Sequence, residues 1–501
     1  MTPQAGMGVG ELFRDRARMQ PNAVALVDGD GATLTYAQLA ERVKRVAGGL
    51  RALGLKRGDR IAAWSENSVA YIELELAAAH LGLIVACLNW RLSDAEQKHC
   101  IELVQPKAIA VSARYAQAWE RLGLTMQHVL PMDVGWNAWA DAQAPAPPEP
   151  EVGAEDGLVI LYTSGTTGLP KGALVSQRAM VARAMVFSSE FGIRGSDSFI
   201  AWSPLFHMAA TDHSLATLML GGKVLVLDGL QLPKICAWLQ AEPVGWLLAM
   251  PGMIEAMAGA LHEGKVQARS VRMVGAMADL VPLQQVAQLS GLVNAPYLNT
   301  FGSTETGLPP ATASLLAPGE LPRSLSKVQS SWCLVRLVDD DDRDVPIETP
   351  GEMAVRGPTL FSGYWGNDAA NAEAFRGGWF HMGDVFVRHA DGTLDFVDRL
   401  KYLIKSGGEN IYPAEIERVL LAHPAVREAA VVRKRDARWG EVPVAFVACE
   451  ADACDDAALA AFCREQLAGY KQPREIRRLP LAEFPRSSTG KIQRHELEKR
   501  L

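Results

Sequence analysis

"LYTSGTTGLPKGA" spans Leu161–Ala173. It sets Thr163, Ser164, Thr166 and Thr167 around Gly165 and Gly168 and closes on Pro170, Lys171 and Gly172. Glycines let the backbone come close to a ligand and turn its N–H groups inward. Hydroxyls add donors, and a lysine adds a point charge. The ligand that uses all three is a phosphate. The preceding run "LVILY" is apolar and β-prone, and "ALVSQRAMVARAMVF" behind the loop reads as a helix with Ser176 as its N-cap. A Walker loop is excluded, because counting from Gly165 puts Pro170 where the second glycine is required. A flexible Gly/Ser/Thr linker is the plain alternative, and the apolar flanks favour an ordered turn instead.

The loop sits in a chain of 501 residues, long enough for several domains or subdomains. With 49% hydrophobic and 21% charged residues, the composition is that of a soluble globular protein. A net charge of −7 offers no basic field for nucleic acid. The seven cysteines are scattered without zinc spacing and read as reduced thiols of a cytoplasmic protein. The opening residues lack an apolar signal core, and "GMGVGE" reads as a flexible terminus because no strand precedes its glycines. The most apolar window, residues 77–90, falls short of the roughly 20 residues that a membrane helix needs.

"ATLTYAQLAERVKRVAGGLRALGLKRGDRIAAW" predicts strand, helix, strand, and "ENSVAYIELELAAAHLGLIVACLN" adds a helix and an apolar strand. This alternation runs to about residue 310 and predicts an α/β class of packed subdomains. Residues 141–157 form a Pro/Ala/acidic linker. Beyond residue 320 the texture changes to short strands with Gly, Pro and Asp turns, a β-rich subdomain in which Asp339–Asp342 makes a solvated turn. From Arg399 the chain returns to short α+β units: "YPAEIERVLLAHPAV" is an amphipathic helix, "VREAAVVRKRDARWGEVPVAFVAC" two strands, "DDAALAAFCREQL" a helix. The expected division is a large domain over 1–398 and a small one over 399–501.

One glycine-hydroxyl loop is weak evidence, but further stretches follow it in order: "SPLFH" (203–207), "NTFGSTETG" (299–307), "GWFHMGD" (378–384), "DRLKYLIKSGGENIYPAEIE" (398–417) and "STGK" (488–491). Together they resemble the adenylate-forming acyl-CoA and aryl-CoA synthetases over nearly the whole chain, and look most like the bacterial benzoate- and chlorobenzoate-type CoA ligases and the coumarate and medium-chain acyl ligases. The resemblance implies a large α/β domain with a small mobile C-terminal domain. It implies two half-reactions: ATP and a carboxylate give an acyl-AMP and pyrophosphate, then the CoA thiol displaces AMP. It also implies roles. Thr163, Ser164, Gly165, Thr166, Thr167, Gly168 and Lys171 would hold the β- and γ-phosphates, Thr304 the α-phosphate, and Glu305 a Mg²⁺ ion. Gly275, Ala276, Met277 and Phe301 would wall the adenine. Asp384 would accept from the ribose hydroxyls, and Arg399 would contact the nucleotide. Met382 and Phe301 depart from the family's usual threonine and tyrosine. Lys491 would serve adenylation. Rotation at Lys401 would replace it with Gly407 and Gly408 against pantetheine, with Trp439, Tyr470 and Arg474 at the CoA mouth; Gln472 stands where relatives are basic.

His207 would gate an acid pocket lined by Met208, Ala209, His213 and Gly302. Ala209 occupies the aspartate position of amino-acid-activating members, which argues against an amino acid. "TDH" (211–213) and "RSLSKVQSSW" (323–332) depart from the family pattern. The expected enzyme is a CoA ligase for an aromatic or medium-chain monocarboxylate, with a homodimer plausible from the family. The alternatives are delivery to a carrier-protein pantetheine and a degenerate nucleotide-binding scaffold; retention of Lys171, Glu305, Asp384 and Lys491 opposes the last.

Overall fold

The computed structural model describes residues 7–163, 169–279, 281–311, 314–449, 455–486 and 492–501. The run "LVILY" becomes the centre of strand Gly157–Thr163, and "ALVS" extends strand Lys171–Ser176 before helix Gln177–Phe191 begins. The helix therefore starts later than its apolar pattern suggests. Ser176 marks the change, accepting from the Ala179 amide.

These strands belong to a seven-stranded sheet ordered 363–364, 171–176, 157–163, 84–87, 60–64, 108–111, 128–131. Its pairings from 157–163 through to 128–131 are parallel. A second sheet, of eight strands, runs 315–316, 297–298, 270–274, 243–247, 198–201, 223–226, 24–27, 33–35, and is parallel except at its two ends. Helix Val69–Leu81 packs on strands of the first sheet, and helix Met208–Leu220 on strands of the second. Both are buried almost all round, as their unbroken apolar composition requires. One continuous core joins the two sheets to the antiparallel sheet 334–338, 351–356, 380–388, 394–399.

"GMGVGE" is not a loose terminus throughout. Helix Val9–Met19 starts within it, with Gly10 lying where a Cβ would come within 2.9 Å of the Ala79 carbonyl. The glycine serves close helix–helix approach rather than flexibility. The linker 141–157 is pinned, its Ala146 amide bonding the Lys44 carbonyl and its Glu149 amide the His80 carbonyl. The acidic run is a turn, but not a wholly solvated one, because Asp342 pairs with Arg376 at 3.0 Å.

From Ile404 onward, strands 409–411, 404–406, 440–449, 426–436 and 475–478 form a separate sheet with apolar clusters of its own on its faces. Cys449 is disulfide-bonded, which corrects the reading of every cysteine as a reduced thiol; Cys87, Cys100, Cys236, Cys333 and Cys463 are free. No helix among the described residues is long and apolar enough to cross a membrane.

Candidate functional site

In the eight-stranded sheet, strand 198–201 has 223–226 on one side and 243–247 on the other, so the chain reverses direction across the sheet there. Parallel α/β sheets bind ligands at the carboxyl ends of strands beside such a reversal. Those ends carry the segment Trp202–His207 and the loop after Leu247, tied together by the Trp202 indole donating to the Leu248 carbonyl at 3.0 Å. Asn67 fixes the "SPLFH" turn. Its amide donates to the Ala201, Ser203 and Leu227 carbonyls, and its oxygen accepts from the Leu205 amide at 2.7 Å. His207 caps helix Met208–Leu220, its Nδ1 accepting from the Ala209 amide.

The next strand end supplies Gly275, Ala276 and Met277. Gly275 has φ +106° and lies flat on the Tyr297 ring, where any Cβ would come within 2.4 Å. Asn299 holds this stretch in place by accepting from the Ala278 amide at 3.0 Å. The Phe301 ring is 5% exposed and packs edge-on against Phe386 at 4.6 Å and tilted against Phe396.

Lys171 and Glu305 meet through a residue the sequence reading missed. The Tyr364 hydroxyl donates to Glu305 Oε1 at 3.0 Å, and Lys171 Nζ lies 4.9 Å over the same ring. Strand 363–364 pairs with 171–176, so Tyr364 sits beside Ala173 in register. Among the described residues no group of three or more acidic, histidine or cysteine side chains gathers to hold a metal. Mg²⁺ commonly takes one or two carboxylates plus substrate phosphates, and the single carboxylate of Glu305, held by Tyr364 through Oε1, fits that minimal protein ligand set. Asp384 is buried and pairs with Arg399 Nε at 3.1 Å across adjacent strands. Arg399 is held above its ordinary pKa, first by Asp384 and further by Tyr402 and Glu305, which brings the ribose, nucleotide and metal candidates into one electrostatic group.

The "TDH" stretch faces inward. Asp212 accepts from Arg183 Nη1 at 2.9 Å, with both side chains buried. Arg183 also donates to the Thr304 carbonyl at 3.0 Å and to the Thr359 carbonyl at 3.0 Å. His213 packs between Phe187 and Trp246, both 4.4 Å away, and its Nδ1 bonds the Ala209 carbonyl at 2.8 Å. Gly302 lies against Gly307, where a Cβ would meet the Gly307 carbonyl at 2.0 Å. The "RSLSKVQSSW" departure also acquires a cause. Lys327 is fully buried, pairs with Asp279 at 2.5 Å, and bridges Leu394 through both of its backbone groups. A glycine turn in its place would lack that anchor beneath the Gly275–Asp279 stretch.

In the C-terminal sheet, Gly407 has φ +60° and presses on Trp439, whose carbonyl accepts from its amide at 2.8 Å. Asp436 sets the turn by accepting from the Arg438 and Trp439 amides. Trp439 is 37% exposed, so it is not a core residue, and Arg438 lies 4.7 Å over its ring. Gly408, Lys401, Tyr470 and Arg474 are exposed, and Gln472 donates to the Leu467 carbonyl at 3.2 Å. Thr163 ends its strand opposite Lys171. Ser164, Gly165, Thr166, Thr167, Gly168 and Lys491 lie outside the described residues. Asn67, Tyr364 and Arg183 carried no local signal: each acts on a partner more than a hundred residues away or in another strand.

A family model described as AMP-binding enzyme matches residues 13–365, and one described as AMP-binding enzyme C-terminal domain matches 415–491. A feruloyl-CoA synthase of Amycolatopsis sp is 34% identical over 506 residues, covering 98% of this chain and 99% of that protein. An indoleacetate–CoA ligase of Aromatoleum aromaticum is 31% identical, covering 98% of each. The o-succinylbenzoate CoA synthetase of Bacillus subtilis, solved with its acyl-adenylate intermediate, is 26% identical with a TM-score of 0.84 over 97% of each chain. The same synthetase with ATP and magnesium is 27% identical with a TM-score of 0.85, covering 97% of this chain and 98% of that one.

Proposed function

This chain belongs to the AMP-binding enzyme family and is an ATP-dependent acyl- or aryl-CoA ligase working through an acyl adenylate; we propose that its acid is an aromatic monocarboxylate and that free CoA is the acceptor. The observation that carries the ligase reading is the cluster of Lys171, Tyr364, Glu305, Arg399 and Asp384. Support for the aromatic acid comes from the relatives named for feruloyl, indoleacetate and 2-succinylbenzoate.

A carboxylate attacking the α-phosphate brings anionic oxygens together, so donors and cations must converge there. In this reading Lys171 and the loop 163–168 hold the β- and γ-phosphates. Lys491 bridges the α-phosphate and the attacking carboxylate, and Thr304 donates to the α-phosphate. Asp384 accepts from both ribose hydroxyls, with Arg399 fixing the carboxylate. Gly275, Ala276, Met277 and Phe301 bound the adenine, while His207, Met208, Ala209, His213 and Gly302 bound the acid. Tyr364 orients Glu305 toward Mg²⁺. When bound, Mg²⁺ neutralises phosphate charge. Thioester formation needs different groups at the same place. Lys401 is the hinge between domains 1–398 and 399–501, and its rotation exchanges Lys491 for Gly407 and Gly408. Trp439, Tyr470 and Arg474 then receive CoA at the channel mouth. The protein acts in the cytoplasm, where ATP and CoA are its substrates, as a homodimer.

The test is pyrophosphate release with ATP and Mg²⁺ against benzoates, cinnamates, C4–C18 fatty acids, dicarboxylates and amino acids, each with and without CoA. CoA-stimulated release with an aromatic acid is expected. Stimulation only by a fatty acid would move the substrate class, and release without CoA stimulation would move the acceptor to a carrier protein.

A further inference from the structure

Behind Thr304 lies a small cavity lined by Arg183, Phe187, Asp212, His213, Ala216 and Leu308. It offers about 10 Å³ to a water-sized group, room for one hydroxyl. Three of its lining residues are apolar, and its polar groups are unusual in what they leave open. Every nitrogen of Arg183 already donates: Nη1 to Asp212 Oδ2, Nη2 to the Thr304 carbonyl, Nε to the Thr359 carbonyl. Asp212 Oδ1 is buried and has no partner among the described residues. Burial pushes His213 down to about 3, so its ring is neutral. With Nδ1 donating to the Ala209 carbonyl, its Nε2 is an acceptor. The cavity therefore presents an unmet acceptor, Asp212 Oδ1.

A buried acceptor left unmet costs free energy, and a carboxylate oxygen more than most. Its natural complement is a neutral O–H or N–H group. A second carboxylate would set like charges against Asp212 and is the poorer fit. Gly307 makes the arrangement possible, since its φ of +75° and missing Cβ let the Arg183 side chain lie across it, 2.8 Å from where a Cβ would stand. This puts the Arg183–Asp212 pair directly against the backbone of the "GSTETG" stretch, on the side of helix Met208–Leu220.

We propose that the far end of the acid carries a hydroxyl or other neutral donor that hydrogen-bonds Asp212 Oδ1, with Arg183 as the residue that positions Asp212. This rests on the aromatic-acid ligase reading and makes Asp212 a specificity determinant within it. The geometry also gives a distinct expectation for Asp212→Asn. Its amide oxygen turns to Arg183, and its NH₂ then faces the space that Oδ1 left, replacing an acceptor by a donor.

The experiment measures kcat/KM for CoA-dependent pyrophosphate release with 4-hydroxycinnamate, 4-fluorocinnamate, cinnamate and 4-carboxycinnamate, and with the matching 3-substituted and benzoate series. Wild type is expected to prefer a hydroxylated acid over its fluoro and unsubstituted analogues by about tenfold or more, and to reject the carboxylated one. In Asp212→Asn that ratio should fall to about one or invert. Equal wild-type turnover of hydroxyl, fluoro and unsubstituted acids in every series sinks the inference while leaving the ligase intact; a resident water satisfying Oδ1 gives that result. An unchanged ratio in Asp212→Asn also sinks it. Absence of turnover with any aromatic acid sinks both the inference and the aromatic reading. The wild-type comparison stands whether or not the variant folds.

Discussion

Replacing Gly407 by alanine should separate the two half-reactions. The residue sits at φ +60°, in the left-handed region, where an L side chain costs roughly 1–2 kcal/mol. A methyl there meets Trp439 Cε3 at 2.7 Å and Cζ3 at 3.1 Å, and its three nearest neighbours are all atoms of that one ring. The indole is 37% exposed, so it is free to swing outward, and the protein relieves the clash locally rather than by unfolding. If Trp439 stacks on CoA, a displacement of about 1 Å removes most of an aromatic contact worth roughly 1–3 kcal/mol per base. The expected result is a tenfold to hundredfold fall in kcat/KM for CoA, with acyl-AMP formation unchanged in ATP–pyrophosphate exchange. Trp439→Ala should give the same defect. The double variant should be no worse than Trp439→Ala alone, because without the indole the close clash of the new methyl is gone. An unaltered CoA dependence in Gly407→Ala, a matching loss in the exchange assay, or full additivity in the double variant would each refute the assignment.

Tyr364→Phe removes the donor to Glu305 and keeps the ring beside Lys171. A bond to a charged group is worth about 1.5–3 kcal/mol, so the Mg²⁺ concentration for half-maximal activity should rise about tenfold or more; an unchanged Mg²⁺ titration would detach Glu305 from the metal. Lys491→Ala should abolish acyl-AMP formation while sparing thioester formation from supplied acyl-AMP, and equal loss of both steps would break its assignment. His80 is buried and held down to about 4 by that burial. Its folded pKa lies below the unfolded 6.5, so its contribution to stability is intact above 6.5 and is lost as pH falls toward 4, by about 3 kcal/mol. Glu75, raised by burial to about 8, works in the opposite direction, losing stability as pH rises from 4.5 to 8. The test is therefore the difference in urea midpoint between wild type and His80→Gln across pH 7 to 4, expected to shrink as the pH falls; a constant difference would remove His80 from the account.

How much of this was legible in the sequence depends on the range of each interaction. The strand before the glycine- and threonine-rich stretch, the Ser176 cap and the α/β alternation are local, and the sequence carried them. Asp384, Glu305 and Lys171 were legible as motif positions, but not as neighbours: Tyr364, which joins two of them, comes from a two-residue strand whose place is set by pairing with 171–176. Asn67 binds Ser203 across 136 residues, and nothing in its neighbourhood marks it. Helix Val9–Met19 was missed because its glycines read as flexibility, when the neighbouring helix was what required them. The "TDH" stretch looked polar because the arginine that answers it lies 29 residues upstream on another helix.

Lys327 and Asp279 constrain how this sequence could have changed through time. The two charges neutralise each other in a buried site. Removing either partner strands the other, a loss of about 3–5 kcal/mol, comparable to the whole margin of a marginally stable domain. Replacing both with apolar residues of similar volume is close to neutral. A lineage can therefore leave this arrangement only through simultaneous change, or through an intermediate rescued elsewhere. The pair acts as a ratchet: descendants will show both residues or neither, and a descendant holding one alone will carry its compensation within reach of the empty position.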